Sequence, residues 1–190
     1  MKTQLRPALV MLLCMTVLTG LIYPLAITGV AQLVFPKPAN GSLIVVDGQV
    51  LGSTLIGQAF TSPEYFWSRP SDTSPFPYNT LPSAGTNYAP TNPAYLETVQ
   101  ARVAALQAAE PGNDRSVPVD LVTGSGSGLD PHISLASAYY QVDRVAAARG
   151  LPRETVLQSI DQFARGRWLG IFGEPIVNVL ALNLALDQLQ

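Results

Sequence analysis

The sequence predicts a mixed α+β, extracytoplasmic domain carried behind one N-terminal transmembrane helix. Three observations carry that expectation. Residues 8–35 hold no charge, apolar runs flank Asp47-Gly48 as paired strands would, and four later stretches place apolar residues at helical spacing. With 190 residues the chain has room for one domain of ordinary size, about 100–150 residues, plus a short extra element.

The uncharged run spans about 42 Å as a helix, more than the roughly 30 Å of a bilayer's hydrocarbon core. A cleaved signal peptide is the rival, with Lys2 and Arg6 before the run and Gly29-Val30-Ala31 as a small-residue cleavage site. Signal cores extend only about 7–15 residues, so the retained anchor is the preferred reading. Pro24 is expected to kink the span rather than end it. Lys2 and Arg6 outnumber Lys37, which predicts a cytoplasmic tail over residues 1–7, a span over 8–35 and a periplasmic domain over 36–190.

Ser42–Leu51 reads as a hairpin turning at Asp47-Gly48, a pair that tolerates positive φ. Residues 54–60 are expected to add a strand. The segment 61–93 is dense in proline, which forbids helix, yet rich in Tyr, Phe and Trp, which argues for an ordered loop packing its rings on the domain or on a partner. Asn92-Pro93 then opens a helix as cap and first residue, with Leu96, Val99, Val103 and Leu106 as its buried stripe. Residues 117–122 read as a short strand. Asp130-Pro131 repeats the cap-then-proline pattern and predicts a second helix ending at Gly150, with Leu135, Ala138, Val142 and Val145 inward. A third helix runs from Pro152 through Phe163, residues 165–173 form a glycine-broken connection, and residues 177–189 form a last helix.

The chain's net charge is −2, but from residue 38 onward eight arginines face thirteen acids, so no basic stripe offers itself to nucleic acid. Cys14 is alone and lies within the apolar run, which leaves neither a disulfide framework nor a cysteine metal site. The densest chemistry lies in Gly124-Ser-Gly-Ser-Gly-Leu-Asp-Pro-His-Ile-Ser134, which contains the single histidine. Gly124, Gly126, Gly128, Asp130 and His132 are therefore the candidate binding residues. A P-loop would need a lysine after its glycines, and the glycines here alternate instead of following G-x-G-x-x-G. Ser125 or Ser127 with His132 and Asp130 could suggest a hydrolase, but no G-x-S-x-G elbow presents a nucleophile. The expectation is a strand-to-helix turn with no catalytic residue and no metal. A membrane-tethered periplasmic hydrolase and a soluble binding protein freed by signal cleavage remain the alternatives. Arg144, Arg149, Arg165 and Arg167, the last two beside Trp168, are expected mainly on solvated faces or in ion pairs.

Several strings carry a resemblance. Phe60-Thr-Ser-Pro-Glu-Tyr-Phe-Trp-Ser-Arg-Pro70, Gly85-Thr-Asn-Tyr-Ala-Pro-Thr-Asn-Pro93, the glycine string to Ser134, Arg144-Val-Ala-Ala-Ala-Arg-Gly-Leu151 and Gly173-Glu-Pro-Ile-Val-Asn-Val-Leu180 follow the uncharged span in order. Together they closely resemble the C-subunit family of the bacterial Kdp potassium-transporting P-type ATPase. The resemblance implies a single-span, non-catalytic accessory subunit in the inner membrane. Its implied partners are a channel-like potassium-binding subunit, the ATP-hydrolysing subunit and a small single-span subunit, with lipid around the span. It implies a role in assembly and stability, and a chaperone-like effect raising the ATP affinity of the hydrolysing subunit. ATP enters through that resemblance alone. The family pattern at 83–90 is richer in glycine than Ser83-Ala-Gly-Thr-Asn-Tyr-Ala-Pro90, which puts the conformation around Ala84 and Ala89 in question.

Overall fold

The computed structural model describes residues 2–189 and divides into two units, Met1–Leu51 and Gly52–Gln190. Residues 1 and 190, the outer ends of the expected tail and periplasmic domain, lie outside the described residues.

In the first unit, α1 (Lys2–Val17) and α2 (Tyr23–Val34) are joined without a break by a π-helical turn over Leu18–Ile22. Pro24 explains that turn. Having no N–H, it cannot continue the α-helical ladder, and the backbone adapts by letting Tyr23 donate to the Leu18 carbonyl, five residues back. At Pro24 the span thus continues through a π turn and does not end. Among the described residues this is one helix long and apolar enough to cross a membrane, Thr3–Val34 with a mean hydropathy of 2.2. A short α3 (Pro36–Ala39) follows. The predicted hairpin is present as β1 (Leu43–Val46) and β2 (Gln49–Ser53), and Asp47 and Gly48 take φ of 50° and 77° in its turn.

The second unit is built around a three-stranded antiparallel sheet of very short strands, ordered β3 (His132–Ser134), β5 (Ile176–Asn178), β4 (Ala164–Arg165). Ile133 lies opposite Val177 at the centre of the β3–β5 pair, and both are at most 1% exposed. Around that point the chain repeats itself. Each strand ends in a residue that caps the next helix: Ser134 accepts from Ser137 N–H before α5 (Leu135–Tyr140), and Asn178 accepts from Ala181 N–H before α8 (Val179–Asp187). Reciprocal backbone bonds tie each unit to the other, Val179 N–H to the Pro131 carbonyl and Leu135 N–H to the Pro175 carbonyl. The two strand–cap–helix units are thus related by a local pseudo-two-fold.

On this sheet α6 (Val142–Arg149), α7 (Arg153–Phe163) and α8 lay down Val142, Val145, Val156, Ile160, Leu182 and Leu186, all fully buried. Gly150 ends α6 with φ of 65°, and Leu151 N–H returns to the Ala146 carbonyl, so the predicted glycine stop holds. The Asn92 cap also holds, accepting from Ala94 N–H at 2.9 Å at the start of α4 (Pro93–Ala109). The stripe on α4 is shallower than its spacing suggests: Leu106 is buried, but Leu96 is 47% exposed.

Four local expectations are corrected. Residues 54–60 form no strand beyond an isolated Ser53–Ile56 bridge. Thr54 instead offers its carbonyl to Asn178 Nδ2, and Gly57 N–H goes to the Leu129 carbonyl. Residues 117–122 hold a 3₁₀ turn at Val119–Leu121, not a strand. No helix starts at Asp130-Pro131, because residues 132–134 are taken into the sheet by β5 and Ser134 supplies the cap; Asp130 accepts from His132 N–H in a local turn. The last helix begins at Val179 for the same reason, with Val177 spent in β5.

The 61–93 segment packs on the domain through Phe66 and Trp67, while Phe76 and Tyr88 are exposed, and side-chain amides hold its backbone in place. Asn183 on α8 accepts from Phe66 N–H at 2.8 Å and donates to the Phe66 carbonyl at 3.0 Å. Gln141, between α5 and α6, does the same for Trp67, at 2.8 and 3.2 Å. Each buried amide imitates a strand neighbour and satisfies backbone groups that would otherwise be desolvated unpaired. Arg144 and Arg149 are not on solvated faces. Arg144 is buried, stacks 4.4 Å from the Trp67 ring centre and donates to the Pro63 and Tyr65 carbonyls; burial pushes its guanidinium down to about 10, so it is still a cation at neutral pH. Arg149 donates to the Glu64 carbonyl and pairs with Asp187 at 2.7 Å.

Candidate functional site

The glycine string divides into two parts with different surroundings. The first, residues 124–128, is packed against residues 69–73 and 83–85. Ser125 N–H goes to the Pro70 carbonyl, Ser71 Oγ to the Gly128 carbonyl, Ser83 Oγ to the Ser127 carbonyl, and Arg69 donates to the Thr123 and Gly124 carbonyls. Glycine is required at 124 because a Cβ there would run into the Asp72 carboxylate, which is itself held by Arg102. Gly128 has φ of +68°, and a Cβ there would meet Thr73 and the Ala84 carbonyl. Gly126 has open space around it. Ala84 and Ala89 do not take positive φ; in that stretch Asn87 does, at 55°.

Three backbone donors of the loop are spent, Ser125 N–H on Pro70, Gly128 N–H on Ser125 and Leu129 N–H on Ser127 Oγ; the Asp72 carboxylate closes on the Cβ side of Gly124, and Arg69 reaches the Gly124 carbonyl.

The second part, Asp130 and His132, borders an open groove of about 470 Å³ together with Arg69, Asp120, Ser134 and Glu174. Asp130 Oδ1 accepts from His132 N–H at 3.0 Å and lies 3.3 Å from His132 Nδ1, while Oδ2 lies 3.4 Å from Arg69. Burial would raise the Asp130 carboxyl, but the hydrogen bonds from His132, with the charges of His132 and Arg69, outweigh it and hold the group below its ordinary value. Asp120 is spent differently: it accepts from Ser134 N–H, Ser134 Oγ and Ser137 Oγ, so it fixes the start of α5.

A carboxylate oriented on a histidine could serve acid–base chemistry if a nucleophile stood beside it. Ser127 Oγ accepts from Leu129 N–H at 3.1 Å, and Ser125 Oγ is buried with no hydrogen-bond partner among the described residues. Among the described residues no hydrogen bond joins either serine to His132, and no group of three or more His, Cys, Asp or Glu residues is placed to hold a metal ion. The geometry of the groove is that of an ion-paired surface cleft with a mostly apolar floor from Pro118, Val119, Ile133 and Ile176.

Sequence reasoning brought Gly124–His132 forward as one stretch but missed Arg69 and Asp120, which complete it. No local pattern announces either, since both act across more than ten residues of chain. Asn183 is a polar residue in a nearly apolar helix, and that is the signal by which its clamp on Phe66 could have been found.

The comparison with known families matches residues 5–188 to KdpC, described as K+-transporting ATPase, c chain. Similar curated proteins include the potassium-transporting ATPase KdpC subunits of Polaromonas naphthalenivorans (59% identical, covering 100% of this chain and 97% of the relative) and Sorangium cellulosum (60%, 98% of each). That of Janthinobacterium sp. (strain Marseille) is 57% identical over 99% of this chain and 100% of the relative. Matched over nearly its whole length, the chain belongs to the KdpC family, the c chains of K+-transporting ATPases.

Proposed function

We propose that this chain is a membrane-anchored accessory subunit of a Kdp-type potassium-transporting ATPase and contributes to assembly and stability of the complex without carrying out chemistry itself. Family membership and the Thr3–Val34 helix support the membrane-subunit reading. The charge bias around that helix favours a cytoplasmic N-terminus and a periplasmic domain. In this reading the partners are the channel-like potassium-binding subunit, the ATP-hydrolysing subunit and the small single-span subunit.

The observation that carries the non-catalytic reading is the placement of Asp72 against Gly124. A nucleotide phosphate at the glycine loop would meet the Asp72 carboxylate and a backbone in which the Ser125 and Gly128 N–H groups are already engaged. Any rise in the ATP affinity of the hydrolysing subunit is therefore assigned to coupling through the assembled complex, not to nucleotide held by this chain.

Co-purification in mild detergent tests the proposal: the other three subunits should be retained by a tag on this chain, and potassium-stimulated ATP hydrolysis should require it. His132→Ala should leave turnover of the assembled complex intact. Loss of turnover with assembly preserved would overturn the non-catalytic reading, and a protease-protected domain in right-side-out vesicles would overturn the orientation.

A further inference from the structure

The connection between β4 and β5 presents an apolar tip. Trp168 and Phe172 close a tight turn through reciprocal backbone bonds, with the Trp168 and Phe172 ring centres 5.7 Å apart. Trp168, Leu169, Ile171 and Phe172 are nevertheless 70%, 71%, 73% and 58% exposed. Four large apolar side chains on one ordered turn are costly to leave in water, at about 25 cal/mol for each Å² of apolar surface.

Charge accompanies the tip. Arg165 and Arg167 precede it, and Arg165 is exposed with no ion pair among the described residues. Arg167 pairs with Glu174 at 3.2 Å, an exposed bridge of the kind that contributes little and yields readily to another anion. An indole beside guanidinium groups, ahead of Leu, Ile and Phe, is the residue set that settles at a bilayer's interface: rings at headgroup level, aliphatic side chains below, arginines on phosphates. A protein partner fits less well, because a convex turn of about five residues is far smaller than the roughly 20–30 residues a stable interface uses on each side.

We infer that the Trp168–Phe172 turn inserts into the surface of an anionic phospholipid bilayer, with Arg165 and Arg167 on lipid phosphates. The inference rests on the membrane anchoring proposed above, and the tip gives the chain a second, shallow attachment besides its helix.

The full chain reconstituted into vesicles of phosphatidylcholine and phosphatidylglycerol, with brominated acyl chains as quencher, tests this. Flotation of the vesicles reports anchoring, and the difference between wild type and Trp168→Phe isolates the Trp168 emission from that of Trp67. The Trp168 component should be blue-shifted, largely quenched by the bromolipid and shielded from iodide. Both effects should weaken in pure phosphatidylcholine and in the Arg165→Gln/Arg167→Gln variant. A chain that floats with its vesicles while Trp168 is unquenched and open to iodide overturns the inference and leaves the anchoring intact. Shielding that appears only when the other subunits are added overturns it in favour of a protein contact. Failure to float removes the anchoring and the inference together.

Discussion

Gln141 forms both backbone hydrogen bonds of Trp67 with a single side-chain amide, and Asn183 does the same for the neighbouring Phe66. One residue at the junction of α5 and α6 and one on α8 thus act in place of a strand for a proline-rich segment that could not pair with one. Leucine at either position leaves a buried N–H and a buried carbonyl unpaired, each costing about 1–3 kcal/mol. Gln141→Leu and Asn183→Leu are each expected to destabilise the domain by about 2–4 kcal/mol in urea unfolding followed by circular dichroism.

Arg144 joins four groups that a smaller cation cannot reach at once: the Trp67 face, the Pro63 and Tyr65 carbonyls, and Gln141 Oε1 at 2.6 Å. Arg144→Lys keeps the charge but loses the planar fork, and is expected to cost about 2 kcal/mol. Arg144→Met loses the donors as well and should cost more. A lysine variant as stable as wild type would mean that charge alone matters here.

The glycine loop makes a sharper contrast between neighbours. Gly124→Ala drives a methyl into the Asp72 carboxylate and disturbs its pairing with Arg102, so a loss of about 1–3 kcal/mol is expected. Gly126→Ala enters open space and should change stability by no more than about 0.5 kcal/mol. Thermal melts of the two variants side by side decide whether close approach, rather than flexibility of the string, is what the glycines serve.

Asp130 gives the fold a dependence on acid. Its carboxyl is held below 3.8 despite burial, through His132 and Arg69. A group with a depressed folded value stabilises the native state above its unfolded value, and that contribution is lost as pH falls through the folded one. The stability gap between wild type and Asp130→Asn should therefore be present at neutral pH and shrink below 3.8. A gap that stays constant into strong acid would mean that the carboxylate's charge contributes nothing.

Much of the architecture was legible because it is local. The uncharged helix, the Asp47-Gly48 hairpin, the Asn92 cap and the Gly150 stop each depend on a few adjacent residues, and each stands where its chemistry puts it. What sequence reasoning misplaced depends on distant partners. His132–Ser134 has a good helix-start signal in front of it, yet Val177, more than forty residues on, claims it for a sheet. Arg144 and Arg149 look like the charged face of a helix, and only the fold brings residues 63–67 onto them. The candidate site was half visible for the same reason: Asp130 and His132 are sequence neighbours, whereas Arg69 reaches Asp130, and Asp120 reaches Ser134, through tertiary contacts.

The pairing of β3 with β5 also sets an order of events during synthesis. The middle strand and the helix that carries Asn183 come from residues 176–187, so β3, the Phe66 segment and the inner faces of α6 and α7 must wait for them. A ribosome adds about 5–20 residues each second, so the interval in which β3 has emerged without its partner lasts seconds. Through that interval the nascent domain exposes an unpaired strand edge and most of its future core. Chains cut short before residue 176 would never close it, and degradation rather than partial function is their expected fate.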